Sequence, residues 1–297
     1  MNDNSYSIFH IEGGLGKHIA ATAVAKAIKK SNTERKLIVV CSYPELYINL
    51  DFVYRVYRHG NTPYFYQDYI KNKDFILFKH EPYFTENHIK KKTSLIENWC
   101  NLYNIEYHGE LPEIKFNFRQ IQYNNAIWYR DKPIFCIHTN GGPLKEQPYK
   151  YSWTRDIPHY LYEDVINYFK DSHHIIQVCR NNDQGIIHPS VEIVSKNMSN
   201  MELFGLINAS DKRLLIDSSL QHAAAALNKP STVLWIGTDP IIFGYESNIN
   251  IKANINDEDF KLHDSYLFDY DFVGKLYECP IINPNTMFNI NEILNTF

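Results

Sequence analysis

The sequence has few cysteines, and their positions match no common metal-binding or redox spacing. Five occur in 297 residues, and no two of them form a C-x-x-C pair: Cys41, Cys100, Cys136, Cys179 and Cys279. A disulfide-rich secreted domain or a zinc ribbon would need cysteines paired at short spacing. We therefore predict reduced, mostly buried thiols in a cytoplasmic protein.

Long apolar runs and a large excess of charge of one sign are also missing. The N-terminal MNDNSYS is polar, unlike a signal peptide, and no apolar run approaches the length of a membrane span. The net charge of −4 creates no general attraction to nucleic acid or anionic lipid. We expect a soluble protein without a transmembrane segment. It would lie in the host cytoplasm if the Asn-, Lys-, Ile- and Tyr-rich composition reflects a viral genome. Peripheral membrane contact and the oligomeric state stay open.

The length and the order of elements predict two α/β domains. Hydrophobic residues make up 44% of the chain and charged residues 22%, as in ordinary globular proteins. Short apolar strands alternate with helical segments, which favours parallel sheets. We predict two facing, Rossmann-like, doubly wound domains with a central cleft, at 1–128 and 129–285. A terminal helix at 286–297 could pack back on the first domain.

The strands are predicted from short apolar runs and the helices from apolar residues three and four positions apart. The strands lie at 6–11, 36–41, 74–78, 133–137, 174–178, 214–216 and 232–236. The helices lie at 19–30, 86–104, 158–169 and 200–208. The polar stretch at 120–132 is predicted to be an irregular link.

The segment 214–240 predicts a phosphate or diphosphate site. Asp217, Ser218 and Ser219 follow a buried strand and precede an alanine-rich helix. Free N–H groups at a helix start attract anions, and ligands of parallel sheets bind beyond the carboxyl ends of the strands. His222 lies one turn later and Thr238 follows the next strand. A capped helix that binds nothing is the simpler alternative.

A glycine-rich turn follows the first strand, with the sequence EGGLGKH at 12–18. It lacks the G-x-G-x-x-G spacing of dinucleotide sites, and no Ser or Thr follows its lysine as in a P-loop. Glycines here allow a ligand to approach the backbone closely. A ligand site is therefore expected at this turn and at the polar residues after the strand at 74–78, with Glu12, Gly13, Gly14, Gly16 and His80 as its candidates. A turn that serves only packing is the alternative.

Four segments of the second half resemble heptosyltransferase-like glycosyltransferases (family 9), which have the GT-B fold. The segments are HTNGG at 138–142 with Lys145 and Ser152-Trp153, HIIQV at 174–178 with RNND at 180–183, MELFGLINA at 201–209, and DSSLQHAAA at 217–225 with the later Gly237-Thr238-Asp239-Pro240. The resemblance covers about residues 130 to 246. In the first half it is limited to the glycine-rich turn.

The resemblance implies a nucleotide-diphosphate sugar donor held by the second domain, no separate cofactor and no metal. It also implies an acceptor held by the first domain, so that the glycine-rich turn and His80 would form the acceptor-side loop. The Asp269-Tyr270-Asp271 pattern is interpreted as chance. The implied donor-binding residues lie in the polar turns of the second domain: Thr139, Asn140, Gly141, Lys145, Arg180, Asp217, Ser218, Ser219, His222 and Thr238. His222 has the alternative of bracing its helix against the sheet.

Two positions depart from the family pattern. Ser219 stands where the family usually has glycine. Lys17 stands where the family has an aspartate, its presumed base, and a lysine is a poor base at neutral pH. Lys17 could instead neutralise phosphate charge, and the acceptor's proton would go to another residue. The candidates are Glu81, which we favour, and His80, His18 and Glu12.

The sequence therefore predicts an inverting, metal-independent glycosyltransferase. The acceptor would be a hydroxyl of a glycan, of a lipopolysaccharide core or of a modified nucleobase, so that nucleic acid enters only as an acceptor. Two alternatives stay open, a GT-B-type nucleotide-sugar epimerase and a non-catalytic protein that binds sugar nucleotides or glycans.

Overall fold

The structure is a computed structural model, and it describes residues 4–141, 155–157, 159–179, 185–186, 188–194, 198–254 and 286–297. The chain forms two compact units. The first comprises Met1–Gln122 together with Ala225–Asn228, and the second comprises Tyr123–Ala224 and Lys229–Phe297. Each unit is built around its own parallel sheet.

The first unit has a four-stranded parallel sheet in the order β3-β2-β1-β4 among the described residues. The strands are β1 (Ser5–His10), β2 (Lys36–Cys41), β3 (Arg55–Arg58) and β4 (Asp74–Phe78). Ile8 pairs with Ile38 on one side and Leu77 on the other. Because the chain builds outward from β1 in both directions, the strand order reverses between β1 and β4. Such a switch point leaves a crevice at the carboxyl ends of the strands.

The helices of the first unit are short, apart from the first. They are α1 (Leu15–Ser31), α2 (Phe65–Tyr69), α3 (Glu86–Ile89) and α4 (Leu95–Leu102). The single helix predicted at 86–104 is wrong, since two helices occupy this range. Lys91 has a φ of 51°, which ends the first of them, and Ser94 caps the second through its side chain.

The stretch 120–132, predicted to be irregular, contains a helix. α5 spans Phe118–Ile127, and the change from the first to the second unit falls within it. Asn117 Oδ1 accepts a hydrogen bond from the Gln120 N–H at 2.9 Å, and Gln120 Oε1 accepts one from the Asn117 N–H at 2.8 Å. This reciprocal pair caps the helix start. The apolar pattern did not reveal α5, because Asn124 is the residue that it buries.

The second unit has a six-stranded parallel sheet in the order β10-β9-β8-β5-β6-β7 among the described residues. The strands are β5 (Ile134–His138), β6 (His174–Val178), β7 (Val191–Val194), β8 (Lys212–Ile216), β9 (Thr232–Trp235) and β10 (Ile249–Lys252). The helices are α6 (His159–Phe169), α7 (Asn200–Ala209), α8 (Ser219–Ala226), α9 (Pro240–Phe243) and α10 (Ile290–Leu294). The strand order reverses between β5 and β8. The predicted fold class, two Rossmann-like doubly wound units, is confirmed.

The C-terminal helix belongs to the second unit. The Phe297 ring lies 5.2 Å from that of Phe135 and 5.4 Å from that of Phe169, both in the buried core of this unit. Thr296 Oγ1 also lies 2.6 Å from Thr232 Oγ1 at the start of β9. The suggestion that this helix packs back on the first domain is therefore wrong, because Ile293 is buried in the core of the second unit and Ile290 and Leu294 pack against that core.

Two expectations from composition can be compared with the structure. Cys41, Cys100, Cys136 and Cys179 are free and buried, as predicted, while Cys279 lies outside the described residues. Within the described ranges, no helix combines the length and the apolar character that crossing a membrane requires.

Candidate functional site

The candidate residues of the second unit collect at the switch point between β5 and β8. The loop that follows β5 begins at Thr139, and the turn that follows β8 begins at Asp217. The two strands are direct neighbours in the sheet, with Ile137 paired with Leu214. The structure therefore brings together the two turns that the sequence selected.

The loop after β5 is held by its own side chains. Gln177 Nε2 donates a hydrogen bond to Thr139 Oγ1 at 2.8 Å, and the Thr139 hydroxyl donates to Asn140 Oδ1. Asp156 accepts two hydrogen bonds, from Asn140 Nδ2 at 3.3 Å and from the Gly141 N–H at 2.9 Å. Thr139 and Asn140 are 2% and 7% exposed, so their side chains shape the loop and do not present free groups to a ligand.

Ser218 joins the two turns. Its Oγ lies 2.8 Å from Nδ1 of His138, the last residue of β5, and accepts a hydrogen bond from the Leu220 N–H at 3.2 Å. Both side chains are buried, and burial lowers the pKa of His138 to about 4. His138 is therefore neutral at neutral pH. Ser218 caps α8 and ties it to β5, whereas its hydroxyl was predicted to hold a diphosphate.

Arg155 and Asp217 lie beside the backbone of Gly141. A Cβ added to Gly141 would meet Ile216 Cδ1 at 3.3 Å, Arg155 Cδ at 3.4 Å and the Asp217 carbonyl oxygen at 3.5 Å. The Arg155 Nε lies 3.6 Å from Asp217 Oδ2, and its side chain is 39% exposed while that of Asp217 is 7% exposed. Arg155 thus places a cation with access to solvent directly at the switch point.

Ser219 and Thr238 complete the part of this edge that the structure describes. Ser219 is the first residue of α8 and is half-buried. Its hydroxyl makes no hydrogen bond to any described residue. The Thr238 Oγ1, in the turn after β9, is buried and likewise has no partner in the described part of the chain. Lys145 and Arg180, also predicted to bind the donor, lie outside the described residues.

His222 braces its helix. Its Nδ1 lies 2.7 Å from the Tyr245 hydroxyl, and the two rings meet edge to face at 5.6 Å. Burial lowers the pKa of His222 to about 4. The adjacent Gln221 donates from Nε2 to the Phe243 carbonyl at 2.9 Å. These contacts favour the structural alternative for His222 over contact with a donor.

The first unit has its own switch point, where the glycine-rich turn follows β1. Gly13 has a φ of 101°, a conformation that favours glycine, and Gly14 caps the start of α1 without a side chain. Lys17 folds back so far that its Nζ would lie 3.0 Å from a Cβ on Gly13. It forms an ion pair with Oε1 of Glu81, which follows β4, and lies 5.5 Å from the centre of the Tyr83 ring. Lys17 is 12% and Glu81 34% exposed.

His18, a candidate proton acceptor in the sequence, has a structural position. Its side chain is fully buried, with Nδ1 2.9 Å from the Gly14 carbonyl and Nε2 accepting from the Ser42 N–H at 3.2 Å. Burial lowers its pKa. With both nitrogens engaged inside the unit, these contacts favour a structural role for His18 in fixing the turn over that of a proton acceptor.

The other candidates of this edge are half-buried or exposed. Gly16 lies in the first turn of α1 and is half-buried, while the His80 side chain is exposed. Glu12 lies between two imidazoles, with Oε1 3.7 Å from His10 Nδ1 and 3.5 Å from His59 Nε2. Burial and the charge of Lys79 lower the pKa of His10, against an opposite effect of Glu12.

Sequence reasoning missed three residues of these edges. Arg155 and Asp156 come from a stretch without apolar periodicity, and their approach to Gly141 is a tertiary contact. His59 follows a short strand and has no motif around it. A sequence signal existed for His138, which ends a buried strand within the quoted HTNGG motif, but its bond to Ser218 joins residues 80 positions apart.

The chain is similar to solved structures of glycosyltransferases. A glycosyl transferase family 9 protein from Veillonella parvula matches 99% of this chain and 96% of its own, at 10% identity and a TM-score of 0.69. ADP-heptose LPS heptosyltransferase II of Escherichia coli matches 84% and 91%, at 12% identity and 0.64. E. coli heptosyltransferase WaaC with ADP matches 84% and 93%, at 12% identity and 0.56. No protein-family model and no curated protein sequence matches the chain.

These similarities establish the class of fold. The chain has the GT-B fold, with two Rossmann-like units that follow one another along the chain. Its expected resemblance to family 9 glycosyltransferases is confirmed at the level of structure.

Proposed function

We propose that the protein is a glycosyltransferase that takes its sugar from a nucleotide-diphosphate sugar bound by the second unit. The observation that carries this proposal is the position of Arg155, Gly141 and the start of α8 at one switch point. Switch points of doubly wound sheets bind nucleotides, and a helix start with an arginine suits a diphosphate. The structurally similar family 9 proteins support the same assignment.

The leaving nucleoside diphosphate gains negative charge during transfer. Arg155, Ser219 and the N–H groups at the start of α8 are the groups that would stabilise it. This assignment needs no metal at the second unit. Asp217, held beside Arg155, orients the guanidinium and limits its rotation.

We assign uptake of the acceptor's proton to a residue of the first unit. Glu81 is one-third exposed and follows β4 at the switch point beside the glycine-rich turn. Its ion pair with Lys17 directs it towards that turn. A carboxylate that accepts the proton while the hydroxyl attacks opposite the leaving group gives inversion.

Binding and product analysis test this proposal. ADP-sugars are tested first, because two similar E. coli proteins are named for ADP-heptose or ADP. We expect one class of ADP-, GDP- or UDP-sugar to raise the melting temperature. We expect sugar to move to a saccharide, lipopolysaccharide-core or modified-nucleobase acceptor, as measured by mass spectrometry. A folded protein that binds none of these donors contradicts the proposal, and conversion of the donor without an acceptor indicates an epimerase.

A non-catalytic sugar-nucleotide-binding protein is the second candidate. The observation that favours it is the Lys17–Glu81 ion pair, in which the carboxylate of the favoured candidate base is already engaged by a lysine. Donor binding without transfer, hydrolysis or epimerisation would establish this alternative.

A further inference from the structure

Two histidines that have no role in the proposed function converge with Glu12, a candidate of the glycine-rich turn, at the sheet edge of the first unit. His10, Glu12 and His59 place one possible ligand atom each within 4.8 Å of the other two. Among the described residues, these three form the one group of at least three potential metal ligands whose ligand atoms all lie this close together. We propose that it binds a divalent transition-metal ion of the Zn²⁺ type.

The distances are near those of a zinc site. Bonds of about 2.1 Å in tetrahedral geometry place ligand atoms about 3.4 Å apart. Glu12 Oε1 lies 3.5 Å from His59 Nε2 and 3.7 Å from His10 Nδ1. The rings of His10 and His59 are 5.1 Å apart and inclined at 60°, so they are not stacked face to face. Small rotations of the two exposed side chains, Glu12 and His59, close the remaining gap.

The backbone fixes all three positions. His10 ends β1 and is paired with Val40 of β2. His59 directly follows β3, and its N–H donates to the Cys41 carbonyl at 2.8 Å. Glu12 precedes Gly13, whose positive φ sets the direction of the turn. Ligands held at strand ends keep their geometry better than ligands on long loops.

The surrounding contacts leave Glu12 available. It forms no ion pair with a lysine or arginine among the described residues, and the two imidazoles are its ionic neighbours. The side chains are 19% (His10), 52% (Glu12) and 40% (His59) exposed, so solvent reaches the group. Three protein ligands with one open side match metal sites that bind water or a substrate oxygen, whereas structural zinc sites are closed by four.

The donor set favours borderline metals. Two imidazoles and a carboxylate suit Zn²⁺, Co²⁺ or Ni²⁺, whereas Mg²⁺ prefers oxygen ligands. The site lies in the first unit, beside the glycine-rich turn, and takes no part in the diphosphate contacts proposed for the second. It departs from the metal-free protein expected from the sequence.

Metal titration of the full chain, with any affinity tag removed, tests the proposal. We expect one Zn²⁺ per chain in competition with a chromophoric chelator, a visible Co²⁺ spectrum and no measurable Mg²⁺ competition. Losing even an outer-shell partner of a metal ligand costs about 10- to 100-fold in affinity. Glu12→Gln and His59→Asn should therefore each weaken Zn²⁺ binding at least about tenfold.

A matched control uses Glu106 and His108, an exposed pair with the same 3.7 Å spacing but no third potential ligand among the described residues. His108→Asn should leave Zn²⁺ affinity unchanged. Absence of stoichiometric Zn²⁺ binding overturns the proposal, as does tight binding that Glu12→Gln and His59→Asn both leave intact. Metal binding is measured without sugar transfer. A failure of the metal-site proposal can therefore be distinguished from a failure of the proposed function.

Discussion

Lys17 reaches back over Gly13 to form an ion pair with Glu81, 64 positions further along the chain. The pair links the turn after β1 with the residues after β4, the two strands between which the order of the sheet reverses. The family 9 pattern has an aspartate at position 17, where this chain has a lysine. The carboxylate at this edge is instead Glu81, which comes from the end of the neighbouring strand and pairs with Lys17. Under the proposed function, Glu81 supplies at this edge the carboxylate that the family pattern places at position 17.

The first prediction concerns Glu81 as proton acceptor. Glu81→Gln removes the base and should lower kcat/KM for transfer by about 10²- to 10⁴-fold, with donor affinity unchanged. Lys17→Met keeps the carboxylate and should have the smaller effect. Steady-state kinetics with the identified donor and acceptor measure both.

The control for this pair is Glu86, an exposed carboxylate in contact with Lys90 at 3.0 Å and Lys92 at 2.9 Å. Glu86→Gln removes an equivalent charge from the same unit and should leave transfer unchanged. If Glu81→Gln transfers sugar at the rate of Glu86→Gln, another residue is the base.

The second prediction concerns Arg155. Hydrogen bonds to charged groups contribute about 1.5–3 kcal/mol, so Arg155→Met should weaken binding of the nucleoside diphosphate roughly 10- to 150-fold. Binding of the free nucleoside should not change. Isothermal titration calorimetry with both ligands separates the two effects. Arg130→Met is the matched control, because Arg130 pairs with Glu192 at 2.8 Å in the same unit. Equal losses in the two variants would contradict the assignment.

The sheet edges could be predicted from sequence, and the contacts across them could not. A buried strand followed by polar residues and a helix start identifies a turn at the carboxyl end of a parallel strand locally. Gly141 and Asp217 were both named from such turns, and the structure places them close together. Arg155 approaches them from a segment with no periodicity, and Ser218 turns inward to His138 because a histidine happens to end β5. Contacts of this kind depend on tertiary packing, which a single sequence does not encode in any local pattern.

The third prediction is a loss of stability in mild acid. Burial lowers the pKa of His138 and of His222 from 6.5 to about 4. The unfolded chain takes up these protons near pH 6.5 and the folded chain only near pH 4, so stability falls as the pH drops through that window. Each histidine contributes about 1.4 kcal/mol per pH unit there. The free energy of unfolding should therefore fall by roughly 3–4 kcal/mol from pH 7 to pH 5 on account of this pair.

Urea unfolding at several pH values measures this slope. His222→Gln removes one of the two groups that take up a proton on unfolding. It should make the dependence of the free energy of unfolding on pH shallower, whatever its effect on stability at pH 7. His80→Gln, at an exposed ring, is the control variant that leaves both buried histidines in place. A slope that His222→Gln does not alter would place the acid sensitivity elsewhere in the chain.

The fourth prediction concerns Gly205 in α7, where α5 crosses close to the backbone. A Cβ at this position would lie 2.3 Å from Cγ of Asn124, which is buried and donates to the Met201 carbonyl at 3.3 Å. Gly205→Ala gains up to about 1 kcal/mol of helix propensity, but overpacking costs about 1–3 kcal/mol and the Asn124 bond is lost as well. We expect net destabilisation, measured as a lower urea midpoint.

Asn124→Ala alone should also destabilise, because it leaves the helices less well packed. The double variant should be more stable than the sum of the two single effects, since the alanine at 124 leaves room for the methyl group at 205. Strict additivity would show that the two helices do not meet at this point.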